Sequence, residues 1–363
     1  MEKYFAAANS RGGFVSWFDE IFAPEKIDRI FIIKGGSGTG NSTLLKRIAA
    51  RGVELGCRCE YFYCSSDPSS LDGILLGDDG GRLKYKSVAV IDGTAPHTRD
   101  PKLPGAAEEI VNLGEFWQTK ALQEHRGEIA QLCQSKSALY SEAYEYLYAA
   151  GELERLLRED AVRFILSEKL ESAADRLLSQ AMHSAKLGRK RGSEVGSPSI
   201  RAVSAISTHG IVRFDSYREM PGRLCAVIDV MGTAPFMFDA LLRSAKRMGL
   251  EVIRAPMPLD PELTEAIRLP ELQLSIISGD ESAYDNDVRL INMARFIDRE
   301  AIEREDRKRR RLLGKCSREL IDGALSKLER IRGLQSDLEK IYIAAMDFAA
   351  VDEYAATLIG RIF

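Results

Sequence analysis

RIFIIKGGSGTGNSTLLKR, residues 29–47, is the stretch on which the fold of this chain turns. Arg29–Lys34 is a short apolar run rich in β-branched residues, which reads as a buried strand. It stops at Gly35-Gly36-Ser37-Gly38-Thr39-Gly40. From Ser42 to Gly56, Leu44, Leu45, Ile48, Ala49 and Val53 recur at helical spacing. Strand, glycine-rich loop and amphipathic helix follow one another without a spare residue.

A loop of this kind suits phosphate. Phosphate oxygens must approach successive backbone N–H groups, side chains obstruct that approach, and glycine also accepts positive φ. The helix that follows turns its positive end and its free N–H groups toward the anion. Gly35 and Gly40 keep the spacing of the P-loop pattern G-x-x-x-x-G-K-[ST], and Ser42 keeps its hydroxyl. Residues Gly35, Gly36, Ser37, Gly38, Thr39, Gly40, Asn41, Ser42 and Thr43 are therefore expected to cradle a nucleotide, with Ser42 on Mg²⁺ and Thr43 at the α-phosphate. Asn41 stands where that pattern has lysine. An amide can donate a hydrogen bond but carries no charge to offset what develops on phosphoryl transfer. Lys34 lies one position too early to substitute. Val88-Ala89-Val90-Ile91-Asp92 reads as a second buried strand, ending in an acid that would join Ser42 on Mg²⁺. Thr94 and His97, just beyond it, would contact the γ-phosphate or the attacking water. Asp92 and His97 are the expected catalytic pair.

Outward from the loop, the chain repeats itself. Residues 29–56 can be laid on 223–249, placing Arg29 on Arg223 and Gly38-Thr39 on Gly232-Thr233. Asp67-Pro68 falls on Asp260-Pro261, and Asn112-Leu113-Gly114-Glu115-Phe116 on Asn292-Met293-Ala294-Arg295-Phe296. Two copies of one unit follow. The expected fold is α/β: a P-loop NTPase-like parallel sheet, duplicated as two lobes, each followed by a long α-helical segment. The divisions are a first lobe at 1–114, helices at 115–183 read as a hairpin between the lobes, a Gly-, Ser- and Lys/Arg-rich flexible linker at 184–208, a second lobe at 209–288 and C-terminal helices at 289–363.

The second lobe is expected to share the fold of the first, with strand 223–229, helix 235–248, strand 250–255 and an apolar stretch 272–277 in the place of 87–91. It is not expected to bind nucleotide. Val230, Met231 and Phe236 put bulk where glycine or a hydroxyl is needed, Pro235 removes a donor, and Ser278 stands where Asp92 stood.

The 363 residues suffice for about two domains, and a composition of 45% hydrophobic and 29% charged residues is that of a globular chain. A net charge of −3 calls for neither a nucleic-acid nor a membrane partner. Cys57, Cys59, Cys64, Cys133, Cys225 and Cys316 fit no disulfide framework and no zinc spacing. No apolar run approaches the roughly 20 residues of a membrane span, and Met1–Asp19 lacks the pattern of a secretory signal. A cytoplasmic location is expected. The basic run Arg307-Lys308-Arg309-Arg310-Arg311 sits among acids and reads as a salt-bridged helix face; an arginine finger from it, or from Arg99, is left open.

The loop KGGSGTG-N-ST, the strand ending VIDGTAPH, the run DPKLPGA and NLGEFW together resemble a bacterial tandem P-loop ATPase/ATP-binding family, whose members carry two P-loop units in one chain. The resemblance spans the chain and is sharpest over 29–117. It implies a P-loop fold and ATP binding. The first loop departs from the family at Asn41, and the second keeps little beyond Gly232-Thr233. The expected function is binding of ATP or ADP with Mg²⁺ and weak or lost hydrolysis, in a regulatory or assembly role with a protein partner on the helices. Two alternatives stand beside it: an active NTPase or kinase whose cation comes from elsewhere, and an interaction protein with a vestigial loop.

Overall fold

The structure is a computed structural model that describes residues 1–78, 80–187, 197–279 and 288–363. The first lobe begins with strand β1 (Glu2–Phe5), a hairpin of β2 (Ala7–Ser10) and β3 (Gly13–Ser16), and a short helix α1 (Phe18–Ile21). Then come β4 (Arg29–Lys34), α2 (Asn41–Glu54), β5 (Arg58–Tyr63), β6 (Leu71–Gly77), β7 (Ser87–Asp92) and β8 (Glu108–Asn112). They form one six-stranded sheet in the order β1-β5-β6-β7-β4-β8. The sheet is mixed, which corrects the parallel sheet expected from the sequence. β6 runs antiparallel to both neighbours, while β4 is parallel to β7 and β8. The cause lies in the connections. Residues 64–70 and 78–86 are too short for the crossover of a dozen or more residues that parallel neighbours need.

Helices α3 (Thr119–Glu124), α4 (Arg126–Val162) and α5 (Ser167–Ser184) follow. The second lobe then repeats the first element by element: β9 (Ser199–Ile200), the hairpin β10 (Ser204–Ser207) and β11 (Gly210–Arg213), α6 (Ser216–Glu219), β12 (Arg223–Ile228), α7 (Ala234–Met248), β13 (Ile253–Pro256), β14 (Thr264–Leu269), β15 (Leu274–Gly279) and β16 (Arg289–Asn292). Its sheet order, β9-β13-β14-β15-β12-β16, is that of the first lobe. Helices α8 (Arg304–Ala344) and α9 (Phe348–Ile362) close the chain. The second lobe therefore starts at Ser199, within the segment expected to be a linker; of that linker, 188–196 lie outside the described residues.

Local details repeat as well. Ser10 and Ser207 accept from the amide two residues on and donate to Gly13 and Gly210 carbonyls, closing identical hairpin turns. Asn112 and Asn292 each cap a short 3-10 turn.

The long helices do not form the expected hairpin of 115–183. The 37-residue α4 lies antiparallel along the 41-residue α8. Lys327 pairs with Glu142, Ser317 donates to Glu154 at 2.7 Å, and Arg309 donates to Asp160 at 2.7 Å. Leu139, Ala143 and Leu147 of α4 interlock with Ala324, Leu328 and Ile331 of α8. This spacing of three and four is that of a coiled-coil seam. Each half then hands its last helix to the other. α5 packs Leu170, Ala174, Leu177 and Leu178 on Phe238 and Leu241 of α7. α9 packs Val351, Ala355, Leu358 and Ile362 on Leu44, Leu45 and Ile48 of α2. A third core joins the lobes directly, with Tyr4, Phe5 and Phe62 against Ile200, Ala255 and Ile277. No described helix is long and apolar enough to cross a membrane.

Candidate functional site

The glycine-rich loop leaves β4 between β7 and β8, so it emerges at the carboxyl edge of three parallel strands. Ligands of α/β sheets bind at such edges. Gly38 and Gly40 take φ of +73° and +91°, values that favour glycine. Gly35 is constrained by space instead, since a Cβ there would stand 2.5 Å from Thr39 Oγ1. The Thr39 hydroxyl holds the curl, 2.8 Å from both the Gly36 carbonyl and Asn41 Oδ1. Gly40 is the N-cap of α2, and among the described residues no side chain caps that helix. The opening amides of α2 thus lack a side-chain acceptor.

Asn41 is 9% exposed and points inward. Its Nδ2 donates to Asp92 Oδ2 at 2.9 Å, tying the start of α2 to the end of β7. The other oxygen, Asp92 Oδ1, accepts from Thr94 N and Thr94 Oγ1 at 2.9 and 2.6 Å. Ser42 Oγ accepts from Leu71 N at 2.9 Å, and Thr43 is exposed. Ser42 and Asp92 are thus both near the head of α2, each already held by a protein group.

His97 comes to the same place from beneath. It is 7% exposed and stacks on Phe18 with ring centroids 4.6 Å apart. Its Nε2 lies 3.7 Å from Asp72 Oδ2, and its Nδ1 is buried without a partner. Asp72, Asp92 and His97 each bring one potential ligand atom within 4.8 Å of the others. Asp72 is absent from the sequence reading, although an acid inside the buried stretch LDGILLG marks itself as unusual. Burial pushes the Asp72 carboxyl up to about 6; His97 opposes this and Asp92 adds to it.

A pH effect on stability follows. The folded protein holds the Asp72 proton more tightly than the unfolded chain does, so ionisation weakens the fold as pH rises from about 4 to 6. Asp72→Asn removes that penalty. The variant should gain roughly 3 kcal/mol on the parent between about pH 4 and pH 7 in urea unfolding. A stability difference that stays constant over that range would exclude Asp72 as its source.

The neighbouring cations are committed elsewhere. Lys34 Nζ donates to the Gly93 and Arg99 carbonyls at 3.0 and 2.6 Å, and Lys46 to the Ser69 carbonyl at 3.0 Å. Arg99 is buried, donating to the Phe18 and Phe22 carbonyls and to Glu108 at 2.7 Å, which holds its guanidinium in the core. The 307–311 run lies at the second lobe, where Arg310 donates to the Met231 carbonyl.

What covers the loop comes from far along the chain. Gln335 of α8 donates to Ser37 Oγ at 3.1 Å and to Glu339 at 2.6 Å. Gly38 lies under the Glu339 carbonyl, and Gly36 under Trp117 and Tyr342. Lys136 of α4 donates to Gln335 Oε1. Burial lowers the Lys136 pKa, with Cys133 and Glu339 opposing.

The equivalent loop of the second lobe is built differently. Asp229 stands at the position of Gly35, and its Oδ1 accepts from Thr233 N and Ala234 N at 2.7 and 2.9 Å. A carboxylate of the chain itself thus occupies the head of α7. β15 pairs with β12 as β7 pairs with β4, and Ser278 takes the register position of Asp92.

Comparison with protein-family models, with curated proteins and with solved structures found no match.

Proposed function

We propose that residues 35–43 bind ATP or ADP with Mg²⁺, and that the chain turns nucleotide over slowly or not at all, so that occupancy acts as a signal to the helices. The observation that carries this is the contrast between the two loops. In the second lobe a carboxylate fills the amides at the helix head; in the first, no side chain among the described residues does. The first loop keeps its glycines, its positive φ values and an acid on the adjacent strand. Backbone amides and the α2 dipole supply binding without a lysine. Ser42 and Asp92 would hold Mg²⁺, which would neutralise phosphate charge. Asn41 adds no charge, and it competes for Asp92.

A regulatory role follows from the cover. Phosphates entering the loop meet Gln335 and the end of α8, and α8 spans both lobes along α4. A protein partner on the helices would sense the change.

One observation favours the alternative of an active enzyme. Lys136 is a single side chain away from Ser37, through Gln335. It is the cation placed to replace the missing lysine. Steady-state turnover of Mg-ATP decides between the two readings. The proposal expects a rate at or below about 10⁻³ s⁻¹, the scale of unassisted P-loop hydrolysis, unchanged by Lys136→Met. A fast rate that Lys136→Met abolishes would establish the alternative.

A further inference from the structure

The mouth of the second loop is a groove of about 470 Å³. Its floor is apolar, formed by Val230, Met231, Ile297 and Ile302, and its wall is made of Arg299, Arg307, Arg310 and Arg311. Two of these arginines are anchored to carbonyls. Arg310 donates to Leu157 O at 2.7 Å and to Met231 O, and Arg307 donates to Ile302 O at 2.8 Å. Neither makes an ion pair among the described residues, and the same holds for Arg299 and Arg311.

The nearby carboxylates are occupied with other partners. Asp160 receives Arg309, Asp306 receives Arg163 and the Glu303 amide, Asp298 receives the Glu300 and Ala301 amides, and Asp229 receives the α7 amides. Four guanidinium groups therefore line one concavity without a direct ion pair among the described residues, while Asp160, Asp229, Glu154 and Asp306 act on Arg310 only through space. The backbone gives an independent indication. Met231 sits at φ +65° without being glycine, and Arg310 holds its carbonyl. Such strain in a bulky residue persists where surroundings over-determine it, and it gathers at ligand clamps.

We propose that this groove is a second ligand site, for an organic phosphate about the size of a nucleoside mono- or diphosphate. Arg299, Arg307 and Arg311 take the phosphate, and the apolar body lies on Met231, Ile297 and Ile302. The volume is that of a small-molecule pocket. Guanidinium forks suit phosphate oxygens, and an apolar floor has no use for inorganic phosphate alone. Nucleic acid fits less well, because Lys308 and Arg309 of the same run are paired to Glu305 and Asp160. Anion recognition in this lobe has passed from backbone amides, which Asp229 fills, to arginine side chains.

The test uses the full chain carrying Gly36→Glu, which places a carboxylate in the first loop. Gly36 has no positive φ, and its nearest obstacle is the Trp117 ring at 3.4 Å. In this background the first loop cannot contribute, so the outcome is independent of the function proposed for it. Calorimetric titration should show ADP binding, with inorganic pyrophosphate and adenosine each at least about tenfold weaker. Adding Arg299→Ala and Arg311→Ala should weaken ADP about tenfold or more, the loss of two charge-assisted contacts, while Arg318→Ala leaves it unchanged. The proposal is overturned if ADP does not bind at millimolar concentration, if the double substitution changes nothing, or if adenosine or pyrophosphate binds as well as ADP. Tighter competition by a short DNA duplex than by ADP would also overturn it.

Discussion

Asn41→Lys is expected to tighten Mg-ADP binding about five- to thirtyfold. A charged donor in place of a neutral one at phosphate is worth roughly 1–2 kcal/mol. Two changes act together. The ammonium reaches phosphate oxygens that the short amide, turned inward to Asp92, does not. Losing that amide also frees Asp92 Oδ2 for the metal side of the site. Turnover should rise less than affinity, because the expected catalytic pair lies poorly for attack, with His97 buried against Phe18 and facing Asp72. Calorimetry on parent and variant checks this. An unchanged or weaker affinity would mean that phosphate does not sit at the head of α2.

Leu358→Ala is expected to remove about 2–5 kcal/mol of stability, the range for truncating a fully buried leucine. Leu358 is 1% exposed and packs in the core of the first lobe, although it belongs to the last helix of the chain. The location of the loss matters as much as its size. Amide exchange should accelerate in β4 and α2 while β12 and α7 stay protected, because α9 covers only the first lobe. Equal acceleration in both lobes, or a loss below about 1 kcal/mol, would contradict the exchange of terminal helices between halves.

That exchange could not be read from the sequence, for a physical reason. The apolar stripe of α9 declares that something covers it but not what; Leu44 and Ile48 lie some three hundred residues earlier. The α4 stripe Leu139, Ala143, Leu147 likewise suits a hairpin partner or a distant helix equally well. Strand β6 is not among the strands expected from the sequence, and its antiparallel course is not legible there because direction is set by connection length and pairing, not by composition.

Local features were legible. β4 and β7 run over the residues that their β-branched runs marked, and Asn112 and Asn292 cap matching turns. The repeat extends further than the sequence reading took it. Ser10-x-x-Gly13-Phe14-Val15 and Ser207-x-x-Gly210-Ile211-Val212 build the same hairpin, yet a match of four small or apolar residues says little until the turn is seen. At the candidate site the course of the loop, leaving β4 and entering α2, was legible. Asp72 stood out only as an acid in an apolar run, and Lys136 and Gln335 not at all, because folding alone brings these three to the loop region.

Backbone amide exchange over residues 35–43, with and without saturating Mg-ADP, reads nucleotide binding at the loop itself. Binding through the loop predicts slower exchange at those amides and at the start of α2, and none of this slowing in the Gly36→Glu chain. Unchanged exchange over 35–43 in the parent chain, at a concentration where both lobes stay folded, would contradict it.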